Sequence, residues 1–265
     1  MYKLVAVDLD GTLLDSNRQV SARNRQAICD LLDAGILFSI STGRPLQGVT
    51  QFIDMIGADM PFILYNGAVV LTSRSKQVLH ESVLAGELAK EVVRLGQERG
   101  TNVFVYAAGE MYVSEINQSV NEYRAKIKVE PIVVEDLAQT AALGVTKVLF
   151  RDTPDRIAEL ENEISPHFQG ILNSFTSLPI LLEFVDINTS KGVAMQKIGE
   201  RYNIKQAEMM AIGDSFNDAD MIRYAGLGIA MGNAAQKIKD IADATTSTND
   251  EDGVAEAIYR YVLVG

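Results

Sequence analysis

The residues of this chain that can do chemistry fall into four short stretches. The first is Asp8-Leu9-Asp10-Gly11-Thr12, directly after the apolar run from Leu4 to Val7. A side-chain period of two puts Asp8 and Asp10 on one side of the chain as it leaves a strand. With no Lys or Arg between them the two carboxylates repel and ask for a cation, and hard oxygen ligands suit Mg²⁺. The other stretches are Ser41-Thr42-Gly43-Arg44, Lys191-Gly192 and Gly213-Asp214-Ser215-Phe216-Asn217-Asp218. Pooled, they hold carboxylates, a hydroxyl, an amine and several small residues. That inventory suits a divalent cation and a phosphoryl group: carboxylates hold the metal, while a hydroxyl, backbone N–H groups and an ammonium neutralise phosphoryl oxygens. Each piece alone has a plainer reading. Thr42 can cap a helix, Lys191 can be a solvated charge, and Asp214 and Asp218 can help a helix start. Their occurrence together, in order, favours the joint reading.

Three of the four stretches are strand-to-helix corners, which a parallel sheet brings to one edge. Residues 4–7 read as a strand buried on both faces. Ser21 caps a helix over about 22–34, with Ile28, Leu31 and Leu32 as its stripe and Gly35 as its stop. Residues 36–40 form a second strand, and Pro45 opens a helix carrying Val49, Phe52, Ile53 and Ile56. A third strand over 62–65 precedes Asn66-Gly67, a turn signal whose place also allows a role at the site. From about residue 84 the texture changes to mixed α+β, with a helix at 86–100 and short strands near 103–106, 111–114, 146–150, 171–175 and 181–185. Alternating units resume at Ser190, with strands at 209–212 and 227–230 and a closing helix at 252–261. The expected architecture is α/β: a doubly wound parallel, Rossmann-like core at 1–83 and 188–265, interrupted by an α+β cap domain at 84–187.

Composition bounds the partners. The 265 residues carry 35 acids against 24 bases, a net charge of −11, with 47% hydrophobic residues. Phosphate backbones bind concentrated Lys and Arg, and no such run exists, so nucleic acid is not an expected partner. No apolar stretch approaches the roughly 18 residues of a membrane span, and Asp8 and Asp10 interrupt the run a signal peptide needs. A single cysteine, Cys29, forms no internal disulfide and fits a reducing cytoplasm. Monomer and dimer both stay open.

DLDGT, STGR, Lys191-Gly192 and GDSFND, in that order, resemble the four motifs of the haloacid dehalogenase-like (HAD) superfamily. The insertion is similar to the α/β cap of its Cof-type sugar-phosphatase branch. YNGA at 65–68, AGLGIAM at 225–231 and EDGVAEAI at 251–258 extend the likeness through the core. The resemblance implies that Asp8 is a nucleophile forming an aspartyl-phosphate, and that Asp10 acts as acid on the leaving oxygen and then as base on water. It implies Mg²⁺ held by the Asp8 carboxylate, the Asp10 carbonyl and Asp214, with Asp218 in support. Thr42, Gly43, Lys191 and Asn217 would contact phosphoryl oxygens, and Asn66 and Gly67 are candidate substrate contacts. Arg44 either clamps phosphate or pairs with an acid. The implied function is Mg²⁺-dependent hydrolysis of small phosphorylated metabolites, sugar phosphates first. A phosphomutase on the same core and a non-catalytic phosphate-ligand sensor are the alternatives; Asp10 weighs against the sensor, because binding alone does not need it. Cys29 lies mid-helix with no phosphate loop, which disfavours cysteine chemistry. His80 and His167 lie outside every motif and read as surface residues. Tyr106, Tyr112 and Tyr123 can line a substrate pocket but are equally core filler; Met209 and Met210 read as core, and residues 249–252 as a solvated helix cap.

Overall fold

The computed structural model describes residues 1–263. The chain forms two units: Met1–Gly43, Thr50–His80 and the chain from Ser190 onward make the first, and Arg44–Val49 with Glu81–Thr189 the second. The first begins β1 (Leu4–Asp8), α1 (Ala22–Asp33), β2 (Leu37–Ser41), α2 (Thr50–Ile56), β3 (Pro61–Leu64), β4 (Val69–Thr72) and β5 (Val78–Glu81). Through the second run α3 (Gly86–Glu98), β6 (Asn102–Ala107), β7 (Glu110–Val113), α4 (Gln118–Ile127), β8 (Pro131–Val133), α5 (Leu137–Ala141), β9 (Lys147–Arg151), α6 (Pro154–Ile164), β10 (Leu172–Leu178) and β11 (Leu181–Asp186). The first then resumes with α7 (Lys191–Tyr202), β12 (Met209–Gly213), α8 (Ala219–Tyr224), β13 (Leu227–Ala230), α9 (Gln236–Lys239), β14 (Ala244–Thr245) and α10 (Gly253–Tyr261).

The first unit's sheet has the order β14-β13-β12-β1-β2-β3-β4-β5. Strand β1 lies inside it, parallel to β2 on one side and to β12 on the other, and is buried at every residue. A strand with both faces covered has no use for a polar position until it leaves the sheet, and in β1 that position is Asp8. Leu4, Ala6, Met209 and Ala211 pack with Ala194, Met195 and Ile198 of α7 and Met221 of α8, which ties the helix carrying Lys191 to the strand carrying Asp8. The doubly wound core read from the sequence is therefore present. Strands β3 and β4 depart from the parallel pattern, forming an antiparallel hairpin through Asn66-Gly67.

The second unit's sheet, β10-β11-β9-β6-β7-β8, is mostly antiparallel. One set of alternating residues, among them Val103, Val105, Val148, Phe150, Leu182 and Phe184, packs under α3, α5 and α6. From the alternate set, Phe104 meets Tyr123 of α4 edge to face, ring centroids 4.8 Å apart.

Several local expectations need correction. The helix read from Pro45 starts as a 3₁₀ turn at Leu46–Val49, with Gly48 N–H donating to the Pro45 carbonyl at 3.0 Å, and becomes α-helical only at Thr50. Gly48, a weak helix former, sits where the first regular turn would propagate. His80 is half-buried rather than a surface residue, because it lies on the unforeseen strand β5. Among the described residues no helix is long and apolar enough to cross a membrane.

Candidate active site

The first unit gathers three of its four chemical stretches at the carboxyl end of β1. Strand β1 delivers Asp8, whose register neighbour on β2 is Ser41. Helix α7 starts with Lys191, after Ser190 caps it by accepting from Val193 N–H at 3.2 Å. Strand β12 ends at Gly213, and the next turn folds Asp218 back so that its Oδ2 accepts from Asp214 N–H and Ser215 N–H, both at 3.0 Å. A Cβ at Gly213 would stand 2.5 Å from the Asp218 Cβ, so only glycine allows this return. Lys191 Nζ then donates to Asp8 Oδ1 and to Asp218 Oδ1, each at 2.6 Å. Oxygens of Asp8, Asp214 and Asp218 lie within 4.8 Å of one another.

Charge in this pocket is unbalanced: three carboxylates face one ammonium. Lys191 and Asp218 are fully buried, and Asp8 nearly so. Burial raises the Asp8 carboxyl well above the usual range, and the Asp218 and Asp214 charges push it further, against the pull of Lys191. Asp214 is raised too, by burial and by Asp218, while Ser215, Thr12 and Lys191 hold it down. For Lys191, burial opposes the charge, but the Asp218 and Asp8 carboxylates outweigh it and keep the ammonium charged. All the donors in the cluster are oxygens and two negative charges are left over, so the residues fit a hard divalent cation. Glycine at position 11 belongs to the same packing: its φ is +88°, and a Cβ there would stand 2.7 Å from Asp214 Oδ2. The backbone of Asp10-Gly11 is thereby laid against the Asp214 carboxylate. Thr12 Oγ1 donates to Asp214 Oδ1 at 3.0 Å and fixes its orientation.

The STGR and YNGA stretches meet beside this cluster. Thr42 is buried, donates its N–H to the Ile63 carbonyl at 2.8 Å, and accepts at its carbonyl from Asn66 N–H at 3.0 Å. Gly43 faces the Asn66 amide closely enough that a Cβ would be 3.0 Å from it. Asn66, at φ 57°, accepts at Oδ1 from Asn217 Nδ2 at 3.0 Å, so a residue read as a turn joins one read as a phosphate contact. At Gly67, φ is 104° and a Cβ would stand 2.1 Å from the Ser190 carbonyl oxygen, so the turn lies directly against the start of α7. Thr42, Gly43, Asn66, Gly67, Asn217 and Lys191 thus share one edge of the first unit.

Asp10 and Arg44 have surroundings of their own. The Asp10 side chain is half exposed, with Arg18 Nη2 at 3.7 Å from its Oδ1, and it is not part of the three-carboxylate cluster. Arg44 opens the 44–49 piece of the second unit, where its Nη1 donates to the Gly48 carbonyl at 3.1 Å. Of the tyrosines, Tyr106 and Tyr123 are buried with their hydroxyls 3.2 Å apart, and Tyr112 packs on the apolar cluster, so all three serve the second unit's interior. Cys29 lies on α1 and His167 is exposed. The sequence reading missed Asn233 and misread Asn249 and Asp250, which bond to the Asp10 loop across more than 200 residues of chain. No local pattern carries such a signal.

Residues 5–258 match the family model of the haloacid dehalogenase-like hydrolases. Over its whole length the chain is similar to the Bacillus subtilis protein YxeH, with 31% identity and 99% of each chain covered. It is 29% identical to the 5-amino-6-(5-phospho-D-ribitylamino)uracil phosphatase YitU of the same organism, covering 97% of both. A crystal structure of a haloacid dehalogenase-like hydrolase from Bacteroides thetaiotaomicron superposes with a TM-score of 0.88 at 32% identity, covering 98% of this chain and 99% of that one.

Proposed function

The chain belongs to the haloacid dehalogenase-like hydrolases and is a phosphatase, and we propose that it hydrolyses small phosphorylated metabolites, sugar phosphates first, with Mg²⁺ as cofactor and Asp8 as nucleophile. The observation that carries this reading is the buried Asp8 carboxylate, bonded to Lys191 at 2.6 Å and sharing its pocket with Asp214 and Asp218. An Asp8 oxygen attacks phosphorus, the bond to the leaving oxygen breaks, and Asp10 gives that oxygen a proton. Water then attacks the phosphorus of the aspartyl-phosphate, Asp10 takes its proton, and the bond to Asp8 breaks to release orthophosphate. Lys191 draws Asp8 toward its charged, attacking form, against burial and the neighbouring carboxylates, and meets the negative charge of the transferred group. Thr42, Gly43 and Asn217 supply hydrogen bonds to phosphoryl oxygens, while Asn66 and Gly67 set that edge of the site. Asp8, Asp214 and the Asp10 carbonyl would hold Mg²⁺, with Asp218 behind them. When bound, the ion supplies positive charge against the phosphoryl oxygens and the Asp8 carboxylate. We also propose that residues 84–187 act as the specificity-bearing cap.

The test is turnover across sugar phosphates, nucleotides and the ribitylamino-uracil phosphate that YitU's name carries, with added Mg²⁺ and with excess chelator. Sugar phosphates are expected to lead, chelation to abolish turnover, and a trapped phosphoryl group to sit on Asp8 and be lost in Asp8→Asn. Full activity in chelator removes the metal from the reading, and label on another residue removes Asp8.

A further inference from the structure

Asp8 and Asp10 are secured by different means. Asp8 ends a strand hydrogen-bonded on both sides and is held by Lys191. Asp10 lies in a loop, its side chain half exposed, and its ladder contact is one isolated bridge to Leu14. That loop closes on itself through Leu13 N–H to the Asp8 carbonyl at 3.2 Å and Leu14 N–H to the Leu9 carbonyl at 2.9 Å. Two asparagines from the far end of the chain grip it just after Asp10. Asn233 Nδ2 donates to the carbonyl of Gly11, the residue after Asp10, at 2.8 Å. Asn249 Nδ2 donates to the carbonyl of Leu14, the bridge partner of Asp10, also at 2.8 Å. The two are linked, because Asn249 N–H donates to Asn233 Oδ1 at 3.0 Å. One residue further on, the Asp250 carboxylate accepts from Ser16 N–H at 2.7 Å and from Ser16 Oγ, bonds that draw its carboxyl below the usual range. Ser21 Oγ donates to Asp252 in the same manner.

We propose that Asn233, Asn249 and Asp250 are positioning residues for Asp10: a clamp that holds the acid/base loop in register with the nucleophile while touching neither the transferred phosphoryl group nor Asp8. A solvated helix cap would leave these side chains to bond their own helix. Instead they reach 222, 235 and 234 residues back, to Gly11, Leu14 and Ser16. The proposal rests on Asp10 acting as the acid, and it makes a distinction that a role in overall stability does not. A displaced Asp10 slows departure of leaving groups that need a proton and spares those that do not.

The experiment compares kcat/KM, which reports the steps through transfer to Asp8, for 4-nitrophenyl phosphate against phenyl phosphate and glycerol 2-phosphate. The nitrophenolate departs without a proton; the other two leaving groups require one. Asn249→Ala is expected to lower kcat/KM for the latter two roughly 10–100-fold, the scale of a small misplacement. The kcat/KM of the nitrophenyl ester and inhibition by inorganic phosphate stay near the unaltered enzyme. Asp250→Ala, at an exposed position, should show the same pattern more weakly and stands in if Asn249→Ala does not fold. Equal losses for all three esters, a weakened inhibition by phosphate, or no change in either variant overturn the clamp. Asp10→Asn is the control that separates the two readings. If it lacks the leaving-group split, the assignment of Asp10 as acid fails; if it shows the split and both clamp variants do not, only the clamp fails.

Discussion

Among the described residues each unit buries one lysine, and the two differ instructively. Lys147 of β9 donates to Glu183 of β11 at 2.8 Å; the other Glu183 oxygen takes Ser177 Oγ at 2.6 Å, and the ammonium lies 5.0 Å from the centre of the Tyr106 ring. One cation meets one anion, and the arrangement is electrically closed. Burial works against the Lys147 charge, yet Glu183 outweighs it and holds its pKa above the ordinary value. Lys191 meets two carboxylates at 2.6 Å with a third nearby, and that group is left negative. Burying an ion pair seldom adds net stability, so neither is there for strength alone. The balanced pair joins adjacent strands, whereas the unbalanced cluster keeps uncompensated negative charge, as the proposed phosphatase site requires.

Removing each ammonium breaks this comparison most directly. Lys191→Met is expected to lower kcat by roughly 10²–10³-fold or more, since a charge aimed at the reacting group is lost. Adding Asp8→Asn should restore thermal stability without activity, because one of the two repelling carboxylates is then neutral. If Lys191→Met unfolds the protein only slightly and keeps its kcat, the two lysines are alike and the distinction fails.

Lys147→Met should act in the opposite sense. Leaving Glu183 buried without its partner is expected to cost about 3–5 kcal/mol in denaturant unfolding. Turnover of 4-nitrophenyl phosphate per folded molecule should be little changed, and a Lys147→Met/Glu183→Leu double variant should regain most of the stability. A fall in kcat at unchanged stability would move the pair from scaffold to chemistry.

The smallest effect sharpens the argument from charge imbalance. Asp8 and Asp214 both have folded-state values raised above the ordinary 3.8. Their contribution to stability is therefore present below that value and lost as pH rises through the raised ones. Mg²⁺ should offset this loss, by about 2.7 kcal/mol at a hundredfold excess over its Kd. The rise in Tm with Mg²⁺ should be larger at neutral pH than at pH 5 and should largely vanish in Asp214→Asn. An equal rise in that variant would place the ion elsewhere.

Much of the fold was legible because the core speaks in long periodic runs. Residues 4–7, Met209–Gly213 and Leu227–Ala230 are continuous segments without a polar side chain, and the chemical residues follow strands or open a helix where topology converges. The inserted unit was harder to read. Helix α4 buries only Val120 and Tyr123 of its ten residues, so its apolar stripe is too thin to read. Strand β8 of the inserted unit, with three residues, and β14 of the first, with two, are too short to show an alternation of period two. The Lys147–Glu183 pair bridges 36 positions and depends on β9 lying beside β11, which pairing decides and spacing does not. Asn249 and Asp250 read as a local cap for the same reason: their partners are remote in sequence.

The central place of β1 has a consequence for biosynthesis. One of its edges pairs with β2, a short distance on, but the other waits for β12, with Leu4 opposite Met209. At roughly 5–20 residues per second, the ribosome needs about 10–40 s to deliver that second neighbour. All six strands of the inserted sheet emerge within this interval and complete it among themselves. A nascent chain therefore carries an apolar, half-paired strand through most of its synthesis while a finished unit already hangs from it. Slow translation lengthens the time in which that open edge can find another chain.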